Sequence, residues 1–306
     1  MTIRHYQIFV AVCDEMNMTQ AASALYMSQS AVSQAIAEME AHYGVRLFER
    51  LSRKLYLTCP GEKLLGYARH IIRMNREAEG AMRSWNDGGV LRIGASVTIG
   101  ACVLPGLAAA YQRMHPGPQL EVTEDNTERI ERLLVEDKLD LGLVEGEVTL
   151  PDIVQNPFAE DELTLICGRE HLFFGRTNVA PEELQAQNFI LREVGSGTRR
   201  TFETVMAEHS LDWKATWTCN NADTIKAAVA EGLGISVISR RAVEKEVASG
   251  LLRPVAIDGL SFVRRFKVIH HKNKYLTGAM KSFIAFCLPS GEDGGAVVFS
   301  KGEDGE

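Results

Sequence analysis

Residues 19–39, TQAASALYMSQSAVSQAIAEM, read as two short helices joined by a tight corner. Thr19 can cap the first helix, where Ala21, Ala22 and Leu25 face inward and the paired alanines let a neighbouring helix approach closely. Ser28 can cap the second, where Val32, Ile36 and Met39 form a core stripe. Gln29, Ser30, Ser33 and Gln34 then project the other way. A Gln amide can bond an adenine edge in bidentate fashion, and a Ser hydroxyl can reach a base or a phosphate. Such a face suits the major groove of DNA, but a plain solvated helix surface would look the same.

The flanking residues separate these two readings. Upstream, Tyr6, Phe9, Val10 and Cys13 recur as the buried stripe of a preceding helix. Downstream, Leu47-Phe48-Glu49-Arg50 and Lys54-Leu55-Tyr56-Leu57-Thr58 flank Ser52-Arg53, and Leu55 and Leu57 alternate as in a strand. A short hairpin follows, with Arg50, Arg53 and Lys54 placed to meet phosphates or a minor groove. Residues 1–58 carry five basic side chains (Arg4, Arg46, Arg50, Arg53, Lys54) and five acidic ones (Asp14, Glu15, Glu38, Glu40, Glu49). The overall charge of −7 therefore belongs mainly to the rest of the chain, and a basic edge at 46–54 remains available to DNA.

The segment from Tyr6 to Gly61 resembles the winged helix-turn-helix of LysR-type transcriptional regulators. The resemblance is carried by Phe9, Ala21-Ala22, Leu25, Ser28-Gln29-Ser30-Ala31-Val32-Ser33, Ile36, Glu40, Gly44, Leu47-Phe48, Arg50 and Leu57-Thr58. Met16-Asn17-Met18 and Cys59-Pro60-Gly61 depart from the family pattern, both in joints rather than on the reading face. The DNA-contacting set is expected to be Thr19, Ser28, Gln29, Ser30, Ser33, Gln34, Arg50, Arg53 and Lys54.

From Glu62 onward Leu64, Ala68, Ile71, Asn75, Ala78, Met82 and Trp85 alternate by four and three, a heptad seam over about three heptads. Asn75 at an a position can fix register at a cost in stability. The seam predicts a two-chain coiled coil; a surface helix packed on its own domain is the alternative. A dimer would place two recognition helices on half-sites about one helical turn apart.

Beyond Asn86-Asp87-Gly88-Gly89, strand and helix patterns alternate, which implies a mainly parallel sheet. Strands are expected at 90–95, 120–123, 139–144, 162–167, 188–191, 213–218, 235–238 and 262–271. Helices are expected at 99–114, 127–136, 198–209, 223–230 and 276–288. Two similar halves with a late return to the first match a periplasmic-binding-protein-like (type 2) effector domain, the fold the LysR resemblance also implies. The overall class is α/β, with a winged helix-turn-helix at 1–58, a linker or dimerisation helix at 59–89, and an effector-binding domain at 90–290. Lobe I comprises about 90–160 and 269–290, lobe II about 161–268, and an acidic flexible tail covers 291–306.

In such folds a ligand lies between the halves, at strand ends and helix N-termini. Ser96 and Thr98 follow the first strand, and Gly195-Ser196-Gly197-Thr198 occupies the equivalent place in the second half. Hydroxyls and free backbone N–H groups at a positive dipole end suit an anion. Asn126, Thr127 and Arg199 can add to the walls. Any one of these residues serves as well as a simple N-cap; the symmetry of the two sites favours binding. The Gly-Ser-Gly-Thr-Arg segment also resembles regulators of sulfur assimilation and carbon fixation, consistent with a small anion.

Enzyme readings fail on spacing. There is no GxSxG, Gly232-x-Gly234 lacks its third glycine, and no GKS or GKT P-loop occurs. His270-His271 would point to opposite faces of a strand, a poor metal pair. Cys13, Cys59, Cys102, Cys167, Cys219 and Cys287 form no CxxC or zinc pattern and read as reduced thiols, Cys167 and Cys219 being too far apart in sequence for a peroxide-sensing pair. No metal, cofactor or catalytic residue is expected. No run approaches a membrane span and no signal peptide opens the chain, so a cytoplasmic protein is expected rather than a free-standing solute-binding protein. Family resemblance implies a homodimer, assembled further into a homotetramer, with operator DNA, a small-molecule effector and RNA polymerase as partners. The competing assignment is a metabolite-binding module whose first domain serves mainly dimerisation.

Overall fold

The computed structural model describes residues 1–51, 54–83 and 89–288. It divides into two compact units, one built on Met1–Gly89 and the other on Val90–Leu134, Leu139–Lys272 and the chain from Leu276.

The first unit contains α1 (Ile3–Glu15), α2 (Met18–Ala24), α3 (Gln29–Tyr43), the antiparallel hairpin β1 (Phe48–Leu51) and β2 (Lys54–Leu57), and α4 (Cys59–Arg83). Phe9, Val12, Ala21, Ala22, Val32, Ile36, Met39, Leu47 and Phe48 close one core, in which the Phe9 and Phe48 rings meet edge to face. The α2 cap differs from expectation. Asn17, not Thr19, accepts from the backbone N–H groups of Thr19 and Gln20. Asn is among the strongest N-caps, and its position two residues before Thr19 starts the helix at Met18. Ser28 does cap α3, accepting from the Ala31 N–H at 3.2 Å. Gly44 ends α3 in the left-handed conformation.

Helix α4 begins by packing on its own domain. Ala68 is fully buried in the core just described, and Leu64 lies against it. The first turns of the expected seam are therefore occupied by intramolecular packing, because the apolar stripe needed to cover α1 coincides with the heptad positions. Ile71 and Asn75 are half-buried, Asn75 donating to Glu79, and Ala78 is exposed. Trp85 and the side chain of Met82 lie outside the described residues, as does Arg53. The acidic tail at 291–306 also lies outside them.

The second unit is a mixed α/β body. Its strands are β3 (Val90–Ser96), β4 (Gln119–Asp125), β5 (Leu141–Glu145), β6 (Ile153–Gly168), β7 (Asn178–Val179), β8 (Asn188–Arg192), β9 (Lys214–Cys219), β10 (Ser236–Ser239), β11 (Leu252–Ile257) and β12 (Phe262–His271). Its helices are α5 (Val97–Cys102), α6 (Leu104–Met114), α7 (Thr127–Val135), α8 (Gly197–Glu208), α9 (Ala222–Ala230), α10 (Arg240–Ala248) and α11 (Gly278–Cys287). The main sheet runs β4-β3-β5-β12-β6-β11-β7, with β10 also paired to β6. Parallel pairing holds for β3 with β4 and β5 and for β8 with β9, but β12, β10 and β11 all pair antiparallel with β6. The sheet is thus less parallel than alternation of elements implies.

Two cores flank the long antiparallel pair β6–β12. Leu91, Ile93, Ile99, Leu107, Tyr111, Leu143, Val268 and Phe283 form the first. Leu163, Leu165, Phe189, Phe202, Met206, Ile235 and Val255 form the second, joined by a satellite around Ile190, Ile225 and Val229. The strands that cross between the cores therefore carry the residues that lie between the two lobes.

Candidate functional sites

On the first unit Gln29, Ser30 and Gln34 are exposed and Ser33 is half-buried, all on the side of α3 away from Val32, Ile36 and Met39. Thr19, Arg50 and Lys54 are exposed as well. Glu40 anchors the hairpin beneath this face, its carboxylate accepting from the Leu47 and Phe48 N–H groups at 2.8 and 3.2 Å. Gln34 donates to Glu38, and His5 bonds the same carboxylate. These bonds hold the Glu38 carboxyl below its ordinary range, with His5 the larger cause. An ionised Glu38 repels phosphate, so the DNA-compatible part of α3 is its first two turns. Sequence reasoning missed Tyr26. It sits in the corner between α2 and α3 with φ +54° and is 98 % exposed. A left-handed, fully exposed aromatic is uncommon for a bulky residue, and its phenol can reach a sugar or phosphate.

The second site forms where β3, β5, β12 and β6 lie side by side. Sheet register places its charges. Arg264 of β12 is directly opposite Asp161 of β6, and Glu145 ends β5 opposite Phe266. Arg264 Nε donates to Asp161 Oδ2 at 2.8 Å, Nη1 to Thr198 Oγ1 at 2.8 Å, and Nη2 to Thr98 Oγ1 at 3.3 Å. One guanidinium thus binds a hydroxyl from each half. Asp161 also accepts from Ser239 Oγ at 2.7 Å. Arg192, at the end of β8, is buried and forks onto Glu193 through two bonds of 2.8 Å.

The residues expected from sequence distribute around this cluster. Ser96 occupies the N-cap position of α5 but does not cap it; its hydroxyl donates to Glu145 instead. Ser196 occupies the N-cap position of α8, again without capping it. It is 2 % exposed and its Oγ has no hydrogen-bond partner among the described residues. Thr98 and Thr198 accept from Arg264, as above. Asn126 caps α7 through Oδ1, accepting from the Arg129 N–H, and Thr127 bonds the Glu145 carbonyl at 3.3 Å. Arg199 turns away, pairing with Glu203, donating to the Arg192 carbonyl and stacking over Trp213.

One expectation changes. The helix read at 99–114 is two helices broken at Val103, so α5 spans only six residues and its dipole is correspondingly small. Sequence reasoning also missed Arg264, Glu145 and Asp161. A signal existed for the first: Phe262, Arg264 and Phe266 alternate on one face of the strand, so Arg264 shares the side of two buried rings.

Burial pushes the Cys167 thiol up to about 11 and also raises Cys219, and the two belong to different core clusters. A thiol so shifted carries little thiolate at neutral pH. No group of His, Cys, Asp and Glu suited to a metal ion occurs among the described residues.

Comparison with known proteins gives matches along most of the chain. The family described as "Bacterial regulatory helix-turn-helix protein, lysR family" matches residues 3–62, and "LysR substrate binding domain" matches 86–291. The chain is 34 % identical over 289 residues to the uncharacterized HTH-type transcriptional regulator YeiE of Escherichia coli K12, covering 94 % of this chain and 98 % of that one. A full-length OxyR variant from Pseudomonas aeruginosa superposes with a TM-score of 0.66 at 21 % identity over 94 % of each chain, a likeness of fold. The CcmR regulatory domain of Synechocystis PCC6803, in complex with 2-PG, superposes with a TM-score of 0.61 at 28 % identity, over 65 % of this chain and 96 % of that one.

Proposed function

The chain belongs to the LysR family of transcriptional regulators, not to an enzyme family, and on that premise we propose that it reads operator DNA with α3 and senses a small anion held between the lobes of its effector domain. In this reading Gln29, Ser30 and Ser33 meet base edges or phosphates, Thr19, Ser28 and Gln34 border them, and Arg50, Arg53 and Lys54 of the wing meet phosphates. Dimers form through α4 and pair into tetramers through the effector domains, the cytoplasmic assembly then meeting RNA polymerase at the promoter.

The observation that carries the effector reading is the buried Ser196 hydroxyl, which has no partner among the described residues and lies two positions before Thr198, the residue that the Arg264 guanidinium binds together with Thr98. An unsatisfied buried hydroxyl costs about 1–3 kcal/mol, which a ligand oxygen would recover. Ser96, Thr98, Thr198 and the Arg264 side chain complete the proposed contacts, with Asn126, Thr127 and Arg199 supporting the walls. A ligand shifts the relation of the lobes only through differential affinity for the two arrangements. That the CcmR regulatory domain is seen in complex with 2-PG supports a small ligand for a domain of this fold.

Native mass spectrometry of the full-length protein, followed by thermal shift with the retained compound, tests the reading. It predicts a small acidic molecule whose stabilisation Thr198→Val weakens. A retained compound indifferent to Thr198→Val and to Ser196→Ala would contradict it.

A further inference from the structure

Two carboxyls face Arg264, and they are not equivalent. Asp161 Oδ2 lies 2.8 Å from both Nε and Nη2 and its other oxygen takes the Ser239 hydroxyl. Glu145 Oε1 is 3.5 Å from Nη1, beyond a close charge-assisted bond, and its partners are otherwise the hydroxyls of Ser96 and Thr98. The start of α8 packs directly onto it. A Cβ at Gly197 would lie 2.9 Å from Glu145 Cγ and 2.2 Å from its carbonyl oxygen. A carboxylate at such a place loses its hydration without a full set of replacements. Burial accordingly pushes the Glu145 carboxyl above its ordinary range, Asp161 adding to the rise while Arg264 and Arg192 oppose it.

The surrounding charges come from several elements. β12 contributes Arg264, β6 Asp161, β8 Arg192 with Glu193 after it, and α10 Arg241, whose Nε is 3.6 Å from Asp161. From β3, α5 and α7 come the hydroxyls of Ser96, Thr98 and Thr127. From α8 come Gly197 and Thr198, its Arg199 being paired with Glu203 and its Arg200 bonded to the Glu147 carbonyl. The guanidiniums of Arg192, Arg241 and Arg264 balance the carboxyls of Asp161, Glu193 and Glu145 when all are ionised. With Glu145 neutral, one positive charge is left over in this cluster, and the Ser196 hydroxyl at the start of α8 has no partner among the described residues.

We propose that the cleft takes up its anionic effector together with a proton from solvent that resides on Glu145, so that effector affinity is linked to pH through this one side chain. The proposal rests on the reading of this cleft as the effector site. The proton removes a carboxylate that would repel the incoming anion, and the neutral carboxyl can donate to it.

The test uses the full-length protein and inorganic sulfate, an anion that does not titrate near neutrality. Sulfate-dependent thermal stabilisation is measured at constant ionic strength from about pH 6 to about pH 8.5 for the wild type, Glu145→Gln and Thr198→Val. Expected is an apparent affinity that falls by up to about tenfold per pH unit in the wild type and stays level in Glu145→Gln. Equal pH slopes in the two proteins, or a level wild type, would overturn the proton linkage while leaving a Thr198-dependent anion site in place. Absence of sulfate stabilisation, or stabilisation untouched by Thr198→Val, would overturn the anion site itself and the linkage with it. Infrared difference spectroscopy of the wild type stands independent of any variant's folding: a protonated-carboxyl band that grows when sulfate is added at about pH 8 is expected, and its absence overturns the proposal.

Discussion

Arg264 Nη1 and Thr198 Oγ1 lie 2.8 Å apart, bringing a strand of the central sheet and the first turn of α8 into direct hydrogen bonding across 66 residues of sequence. Both side chains are buried. The guanidinium is also bonded to Asp161, so its position is set by the sheet register before any ligand arrives. Replacing Arg264 by Met leaves the buried Asp161 carboxyl with only the longer Arg241 pair at 3.6 Å and the Ser239 hydroxyl. A loss of about 3–5 kcal/mol is expected in urea denaturation of the effector domain. The double variant Arg264→Met, Asp161→Asn should regain part of it; no recovery would mean that packing rather than charge dominates.

Ser196→Ala separates a ligand contact from a structural cap. The hydroxyl makes no cap and no other hydrogen bond among the described residues, so its removal should change ligand-free stability by less than about 0.5 kcal/mol or raise it slightly. The effector-induced rise in melting temperature should shrink. A destabilisation of about 1 kcal/mol or more would return Ser196 to a capping role.

Gly197 permits the approach of α8 to β5. A Cβ would stand 2.2 Å from the Glu145 carbonyl oxygen, a backbone atom that cannot swing away. Gly197→Ala should cost about 1–3 kcal/mol and blunt the effector response. Calorimetry of the full chain reads the first, ligand titration the second.

The ligand-free fold itself should carry the Glu145 signature. An acid whose native pKa is raised above its unfolded value of about 4.3 supports folding fully below that value, and the support is lost as pH rises through the native value. Relative to the wild type, Glu145→Gln should therefore gain stability as pH increases from about 5 to about 8. Paired urea melts at the two ends of this window are sufficient, and a constant difference would contradict the assignment.

On the DNA side, Arg50→Ala should weaken binding to all sequences and reduce the slope of affinity against salt by about one counterion. Gln29→Ala should act differently, costing about 1–3 kcal/mol on the operator and little on random DNA. Fluorescence anisotropy at several salt concentrations distinguishes the two.

The sequence made some of this legible and hid the rest for physical reasons. The helix-turn-helix was readable because its alternation is local: Val32, Ile36 and Met39 mark one face, and what remains is the other. The strand at 262–271 was readable with the same bounds it has in the fold. By contrast, β6 was read only over its apolar second half, because residues such as Gln155, Asn156 and Pro157 give no strand pattern without β12 beside them. Helix α10 escaped notice because, with Val243 as its one buried residue, its sequence is mostly charge. The serine and threonine ends of the cleft could be placed from chain order alone. The pairing of Arg264 with Asp161 could not, since it depends on a register between strands a hundred residues apart.

Operator recognition in this protein depends most directly on α3 acting as a reading head. A footprint of the full-length protein on the DNA upstream of its own gene examines this in one measurement. The predicted result is protection of two half-sites about one helical turn apart, or a multiple of it, abolished by combining Gln29→Ala with Ser33→Ala in a protein that still folds and dimerises. Binding with no preference over competitor DNA, or protection unchanged in that variant, would contradict it.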